Sequence, residues 1–147
     1  MTTSAGAMQV VSGLLELDVP LILDADALNC LAKIAIDGID SNPEMYRREQ
    51  PLVMTPHYRE LSRLVAGDEV NDLGTAIAAA QKVVWAAGSD NLVVIAKGPT
   101  TAICGVERVL LPLSGPASLA TAGSGDVLAG ILAGTLATMR DEMDRWE

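Results

Sequence analysis

The stretch that most constrains this chain is Ala120-Thr121-Ala122-Gly123-Ser124-Gly125-Asp126-Val127-Leu128-Ala129-Gly130, a small-residue loop that ends in an acid and runs into apolar sequence. Gly123 and Gly125 permit backbone angles and close approaches that a Cβ forbids. Residues 127–139 (VLAGILAGTLATM) read as a buried helix. The first N–H groups of such a helix lack intrahelical acceptors and carry the positive end of its dipole, which suits a phosphate or another developing anion. Asp126, in the first turn, is placed to act on that anion as a general base or to help hold a metal. The plainer reading is that Asp126 caps the helix and the glycines make a turn.

A chain of 147 residues fits one domain with a real core. The chain has no Phe, so Ala, Val, Leu and Ile must fill the interior, as in α/β proteins with covered parallel strands. A formal charge of −9 argues against nucleic acid or an anionic membrane as partner. No apolar run is long enough to span a bilayer, and the start lacks the basic region of a signal peptide. Cys30 and Cys104 lie far apart without metal-ligand spacing, which predicts two reduced, buried thiols in a cytoplasmic protein.

In chain order, Met8, Val11, Leu14 and Leu15 give helical spacing, with Thr2, Thr3 or Ser4 as the cap. Pro20 opens a short apolar strand, LILDAD, ending in Asp24 and Asp26, and residues 27–35 read as a helix. Residues 38–50, polar and containing Pro43, read as a surface connection in which Arg47-Arg48-Glu49 is solvated. A strand over 52–54 leads to Thr55-Pro56-His57, then a short helix over 60–66 stopped by Gly67. Asn71 or Asp72 caps a long helix ending near Ala87 and Gly88, with Leu73, Ile77, Ala80 and Val84 on one face. A continuous apolar strand over 92–96 turns through Lys97-Gly98-Pro99-Thr100, and a hairpin about residues 105–107 follows. Trp85 and Trp146 read as structural or terminal. The alternation predicts an α/β fold, a mostly parallel sheet flanked by helices with a late antiparallel hairpin.

Ligands of such sheets collect at the carboxyl ends of the strands. Asp24 and Asp26, His57, and Lys97 with Thr100 all fall there, so these groups and the glycine-rich loop are expected to open on one edge. Each has a second reading. Either aspartate can cap the following helix. The lone His57 can be a hydrogen-bonded core residue, although its loop position favours function. Lys97 can be a solvated lysine rather than a phosphate partner.

The segments PLILDADALN (20–29), TPHYRE (55–60), VVIAKGPTT (93–101) and LATAGSGDVLAG (119–130) resemble, in order and spacing, those of the ADP/ATP-dependent NAD(P)H-hydrate dehydratases. These are repair enzymes with the ribokinase-like, carbohydrate-kinase fold, and the likeness runs from about residue 8 to about residue 140. The resemblance implies that ADP or ATP phosphorylates the hydroxyl of a hydrated NADH or NADPH. Phosphate loss then restores the reduced cofactor, with Mg²⁺ assisting. It assigns Asp126 as the acid–base group and a contact of the hydrate, and His57 as a second contact. Lys97, Gly98, Pro99, Thr100 and Thr101 match a nucleotide-binding turn, and Gly123, Ser124 and Gly125 match nucleotide and anion contacts. Asp24, Asp26 and Asn29 match a motif beside the active site, and no protein metal ligand is assigned.

Three departures from that family stand out. The chain reads as an incomplete copy of one domain (1–147), without the family's opening strands and last segment. An exposed sheet edge then predicts a homo-oligomer. Tyr58-Arg59 replaces the usual Pro-Gly, which can shift His57 or fill part of the pocket. Ala122 replaces a usual Gly and is strained if that position needs a positive φ. Two alternatives therefore stand beside the dehydratase: a small-molecule kinase of the same fold, and a nucleotide-binding remnant without turnover.

Overall fold

The computed structural model describes residues 3–35, 46–112 and 121–143, with side chains of the last helix described to Met139. Backbone contacts divide the chain into two units, Met1–Leu113 and Ser114–Glu147.

The first unit starts with α1 (Ala5–Leu15), capped by Ser4, whose hydroxyl accepts from the Ala7 N–H at 3.3 Å. β1 (Leu21–Leu23) follows, then α2 (Asp26–Ile34), β2 (Leu52–Met54), α3 (Tyr58–Leu64), α4 (Leu73–Ala87), β3 (Leu92–Ala96), β4 (Ala102–Cys104) and β5 (Val109–Leu110). The strands form one sheet in the order β1-β2-β3-β4-β5. β1, β2 and β3 run parallel, and the late hairpin β4–β5 joins β3 through a further antiparallel pairing. Parallel neighbours need crossovers of one hand, so the helices connecting β1, β2 and β3 fall on one face. They pack in chain order: α1 on α2, α2 on α3, α3 on α4, and α4 on β3 and β4.

Period-two alternation sends Leu52, Met54, Leu92, Val94, Ala96, Ala102 and Cys104 into the core beneath those helices. Each large apolar side chain buried there contributes about 1.5–3 kcal/mol relative to exposure. Val53 and Ile95 lie on the opposite face of the sheet and are also buried. Both cysteines are free and buried, as expected.

Several local readings are corrected. The helix predicted at 60–66 begins at Tyr58, because His57 caps it and Glu60 completes a capping box. It ends before Ala66, which has a φ of 60°. Asp72 caps α4 and Gly88 closes it at a φ of 57°, as read, but the buried face centres on Ala76, Ala80, Val83, Val84 and Ala87. Leu73 and Ile77 sit at that face's margin. Arg48 is not a solvated loop residue. Its guanidinium donates to the carbonyls of Leu14, Leu15, Leu17 and Val19, closing the end of α1, with 2.6 Å to Leu17 and 2.7 Å to Val19. Tyr46, in the supposed surface connection, is fully buried, and burial pushes its phenol pKa up. Trp85 is 61% exposed rather than structural. Residues 36–45, Ala120 and Trp146 lie outside the described residues.

The second unit contains α5 (Ser124–Met143). It begins three residues before the predicted helix and is not buried: Val127, Ile131 and Met139 are each more than half exposed. The apolar sequence is a sound signal of helix. Among the described residues, no helix is long and apolar enough to cross a membrane.

Candidate functional site

The register Leu21↔Leu52 and Leu52↔Leu92 starts the three parallel strands level, and β3 runs two residues past the ends of β1 and β2. Asp24 follows β1, Thr55-Pro56-His57 follows β2, and Lys97 follows β3. Lys97 reaches past the end of the intervening strand β2, and its Nζ donates to Asp24 Oδ1 at 2.6 Å. Both side chains are largely shielded, 26% and 17% exposed. Lys97 is therefore an ordered, paired ammonium at the strand ends, not a solvated lysine.

Burial alone would raise the Asp24 carboxyl pKa. Hydrogen bonds from Lys97 and Thr55, the Lys97 charge and the Ala25 N–H outweigh burial and hold it below the usual carboxylate value. Thr55 is 1% exposed and sits at the end of β2 between the two charged groups. Asp24 is not the cap of α2. That position belongs to Ala25, whose φ of 51° and ψ of −122° put a non-glycine residue in strained backbone beside the ion pair. No sequence signal marks Ala25, since alanine carries no preference for that region.

His57 is pinned next to Lys97. The two form a parallel bridge, and the Lys97 N–H donates to the Pro56 carbonyl at 2.7 Å, continuing the β2–β3 pairing beyond the strands. His57 Nδ1 accepts from the Glu60 N–H at 3.2 Å, and the His57 N–H donates to Glu60 Oε2 at 2.9 Å. A neutral ring then carries its proton on Nε2, which lies 3.3 Å from Glu60 Oε1. The imidazole remains half exposed, so it is oriented by Glu60 yet open to a ligand. It is no core histidine. Glu60, buried at 5% exposure, is the orienting partner that the sequence reading overlooked, although its place three residues after a capping position is a readable signal.

The turn after β3 continues through Gly98 and Pro99, both exposed, and Thr100 and Thr101, both half-buried. The motif 24–29 divides. Asp24 joins Lys97, whereas Asp26 and Asn29 line an open groove of about 730 Å³ with Lys33 and Arg63. There Asn29 Nδ2 donates to Asp26 Oδ1 at 3.4 Å, and Asn29 Oδ1 accepts from Arg63 at 2.6 Å.

The glycine-rich loop belongs to the second unit. Gly123 has a φ of 88°, the left-handed conformation for which glycine is suited, and its carbonyl accepts from the Val127 N–H. Ser124, Gly125 and Asp126 form the first turn of α5, with Asp126 exposed. Ala122 is not among the positive-φ residues, so the strain foreseen for it does not arise. Among the described residues no group of three or more His, Cys, Asp or Glu is placed to hold a metal ion.

The NAD(P)H-hydrate dehydratase family model matches residues 2–146. The bifunctional NAD(P)H-hydrate repair enzyme Nnr of Thermosynechococcus vestitus is 39% identical over 133 residues, covering 89% of this chain and 24% of that protein. The solved ADP/ATP-dependent NAD(P)H-hydrate dehydratase of Bacillus subtilis superposes with a TM-score of 0.71 at 30% identity, over 92% of this chain and 45% of that one. A ribokinase-like superfamily protein of Enterococcus faecalis gives a TM-score of 0.63 at 25% identity, over 91% of this chain and 43% of that one. The chain thus spans less than half the length of each of these proteins. With a ribokinase-like mixed sheet and a family match along nearly its whole length, the chain belongs to the NAD(P)H-hydrate dehydratase family.

Proposed function

We propose that the domain represented by this chain restores hydrated NADH or NADPH at the expense of ADP or ATP. The observation that carries this reading is the convergence of Asp24, His57 and Lys97 at the ends of three parallel strands, in a member of this family. We assign the turn Lys97-Gly98-Pro99-Thr100-Thr101 and the residues Gly123, Ser124 and Gly125 to the nucleotide. His57 and Asp126 contact the hydrate. Asp126 takes the proton of the hydrate hydroxyl as that oxygen attacks the terminal phosphoryl group. The phosphate then leaves with the C–O electron pair, and a proton lost from the neighbouring ring carbon completes the double bond.

Lys97 supplies positive charge for the phosphoryl oxygens. Asp24 holds the Lys97 side chain in place in the meantime. Mg²⁺ suits this arrangement, because such ions are held chiefly by phosphates and waters with one or two carboxylates. When bound, the ion's chemistry would be to offset phosphate charge. Residues 1–147 form part of one domain in this reading. Its matching state is a cytoplasmic homo-oligomer, which the two free thiols and the exposed apolar residues of α5 support.

The test is turnover of hydrated NADH with Mg²⁺ and either ADP or ATP, followed by the return of reduced-nicotinamide absorbance beside an Asp126→Ala control. Restored absorbance that disappears in the control supports the assignment. A stable phosphate ester in place of free phosphate would mark a kinase. A second reading is a domain that binds nucleotide without turning over the hydrate. Nucleotide binding by calorimetry without turnover would establish that instead.

A further inference from the structure

Gly98 is crowded in a way its backbone does not explain. Its φ is not in the positive region, so glycine is not needed there for conformation. A Cβ built on it, however, would run into the Tyr58 ring, at Cε1, Cζ and the hydroxyl oxygen. Among the glycines whose surroundings are described, every other one has open space or no neighbour nearer than 3.4 Å. Tyr58 is the first residue of α3, half-buried and packed against the core. Its ring is held from beneath while the turn rests upon it. Gly98 nevertheless stays exposed, so its face away from the ring is open. The ring backs the turn.

We propose that Tyr58 is a positioning residue that fixes the Lys97–Thr101 turn for nucleotide binding through contact of its ring with Gly98. The inference rests on the reading of that turn as a nucleotide site. Tyr58 adjoins His57, whose bonds to Glu60 fix the start of α3. One aromatic ring therefore links the β2–α3 junction to the β3–β4 turn. Backbone N–H groups whose spacing is set before the ligand arrives bind phosphate at lower ordering cost, so a looser turn binds more weakly.

The variants are Tyr58→Phe, Tyr58→Pro, Gly98→Ala and the Gly98→Ala/Tyr58→Pro pair. Proline is accepted at a first helical position, and the ψ of 169° at His57 suits a following proline, so Tyr58→Pro removes the ring while keeping the helix start. Binding of ADP and of ATP, each with Mg²⁺, is measured by calorimetry below the melting temperature of every variant. Tyr58→Phe should keep the wild-type Kd, and Tyr58→Pro should raise it by about tenfold, the scale expected of a contact pair. Gly98→Ala should raise Kd and lower Tm. Adding Tyr58→Pro should recover the Tm lost to Gly98→Ala without recovering the Kd. An unchanged or tighter Kd in Tyr58→Pro, against a wild type that binds, overturns the positioning role alone. A wild type that binds neither nucleotide overturns the reading of the turn and this proposal with it. If Gly98→Ala does not fold, the comparison of Tyr58→Pro with Tyr58→Phe still decides.

Discussion

α4 and α5 both carry long apolar stretches, and they end differently. α4 is closed at one end by the Asp72 capping box and at the other by Gly88, and it buries Ala76, Ala80, Val83, Val84 and Ala87 against its unit. α5 is longer, is preceded by the left-handed Gly123, and leaves Val127, Ile131 and Met139 exposed. Helix formation follows from local propensity and termini. Burial requires a complementary surface, and that is a property of the rest of the fold.

A charge introduced into each helix breaks or sustains this contrast most sharply. Ala80→Asp puts an unpaired carboxylate where the side chain is fully buried, and should cost more than about 4 kcal/mol or abolish folding in urea titrations. Ile131→Asp, at a position 62% exposed, should stay within about 0.5 kcal/mol. A large loss at Ile131 would mean that α5 is covered in solution, and sedimentation of the wild type would then show self-association.

The helix ends come next in size. Arg48→Ala frees the four carbonyls at and beyond the end of α1, and chemical denaturation should show a loss of about 2–3 kcal/mol. About 1 kcal/mol is expected from Asp72→Ala, read as a lower Tm, because it removes the cap of α4. Gly123→Ala should weaken the α5 start by a similar amount through its φ of 88°, seen as faster amide exchange in that first turn.

The smallest effect is one of pH and belongs to the first unit. The native Asp24 carboxyl titrates below its unfolded value, so on acidification the unfolded chain takes up this proton first. The pair's stabilisation is complete above about pH 5 and is lost as pH falls through the unfolded and then the lower native value. Stability measured against pH should show this loss in the wild type and lack it in Asp24→Asn.

Much of the first unit was readable because its signals are local. Ser4, Asp72 and Gly88 mark helix ends by side-chain chemistry or by the absence of a Cβ, and the apolar runs at 21–23, 52–54 and 92–96 mark strands. Strand-end placement likewise announced Asp24, His57 and Lys97. What escaped was pairing at a distance. No local pattern says that Arg48 closes a helix more than thirty residues earlier, or that the Tyr58 ring lies against Gly98. The strained Ala25 left no trace because its identity does not encode its conformation.

The sequence by itself determined the helices, the strands, the parallel-to-antiparallel change and the family motifs, since periodicity, caps and turns act within a few residues. Only the tertiary structure decided that Lys97 meets Asp24 across β2, that Asn29 turns instead toward Arg63, and that α4 is buried while α5 is exposed. Those outcomes depend on strand order and on which surfaces meet. Asp24 and Lys97 lie 73 positions apart, and the chain between them carries no local record of that encounter.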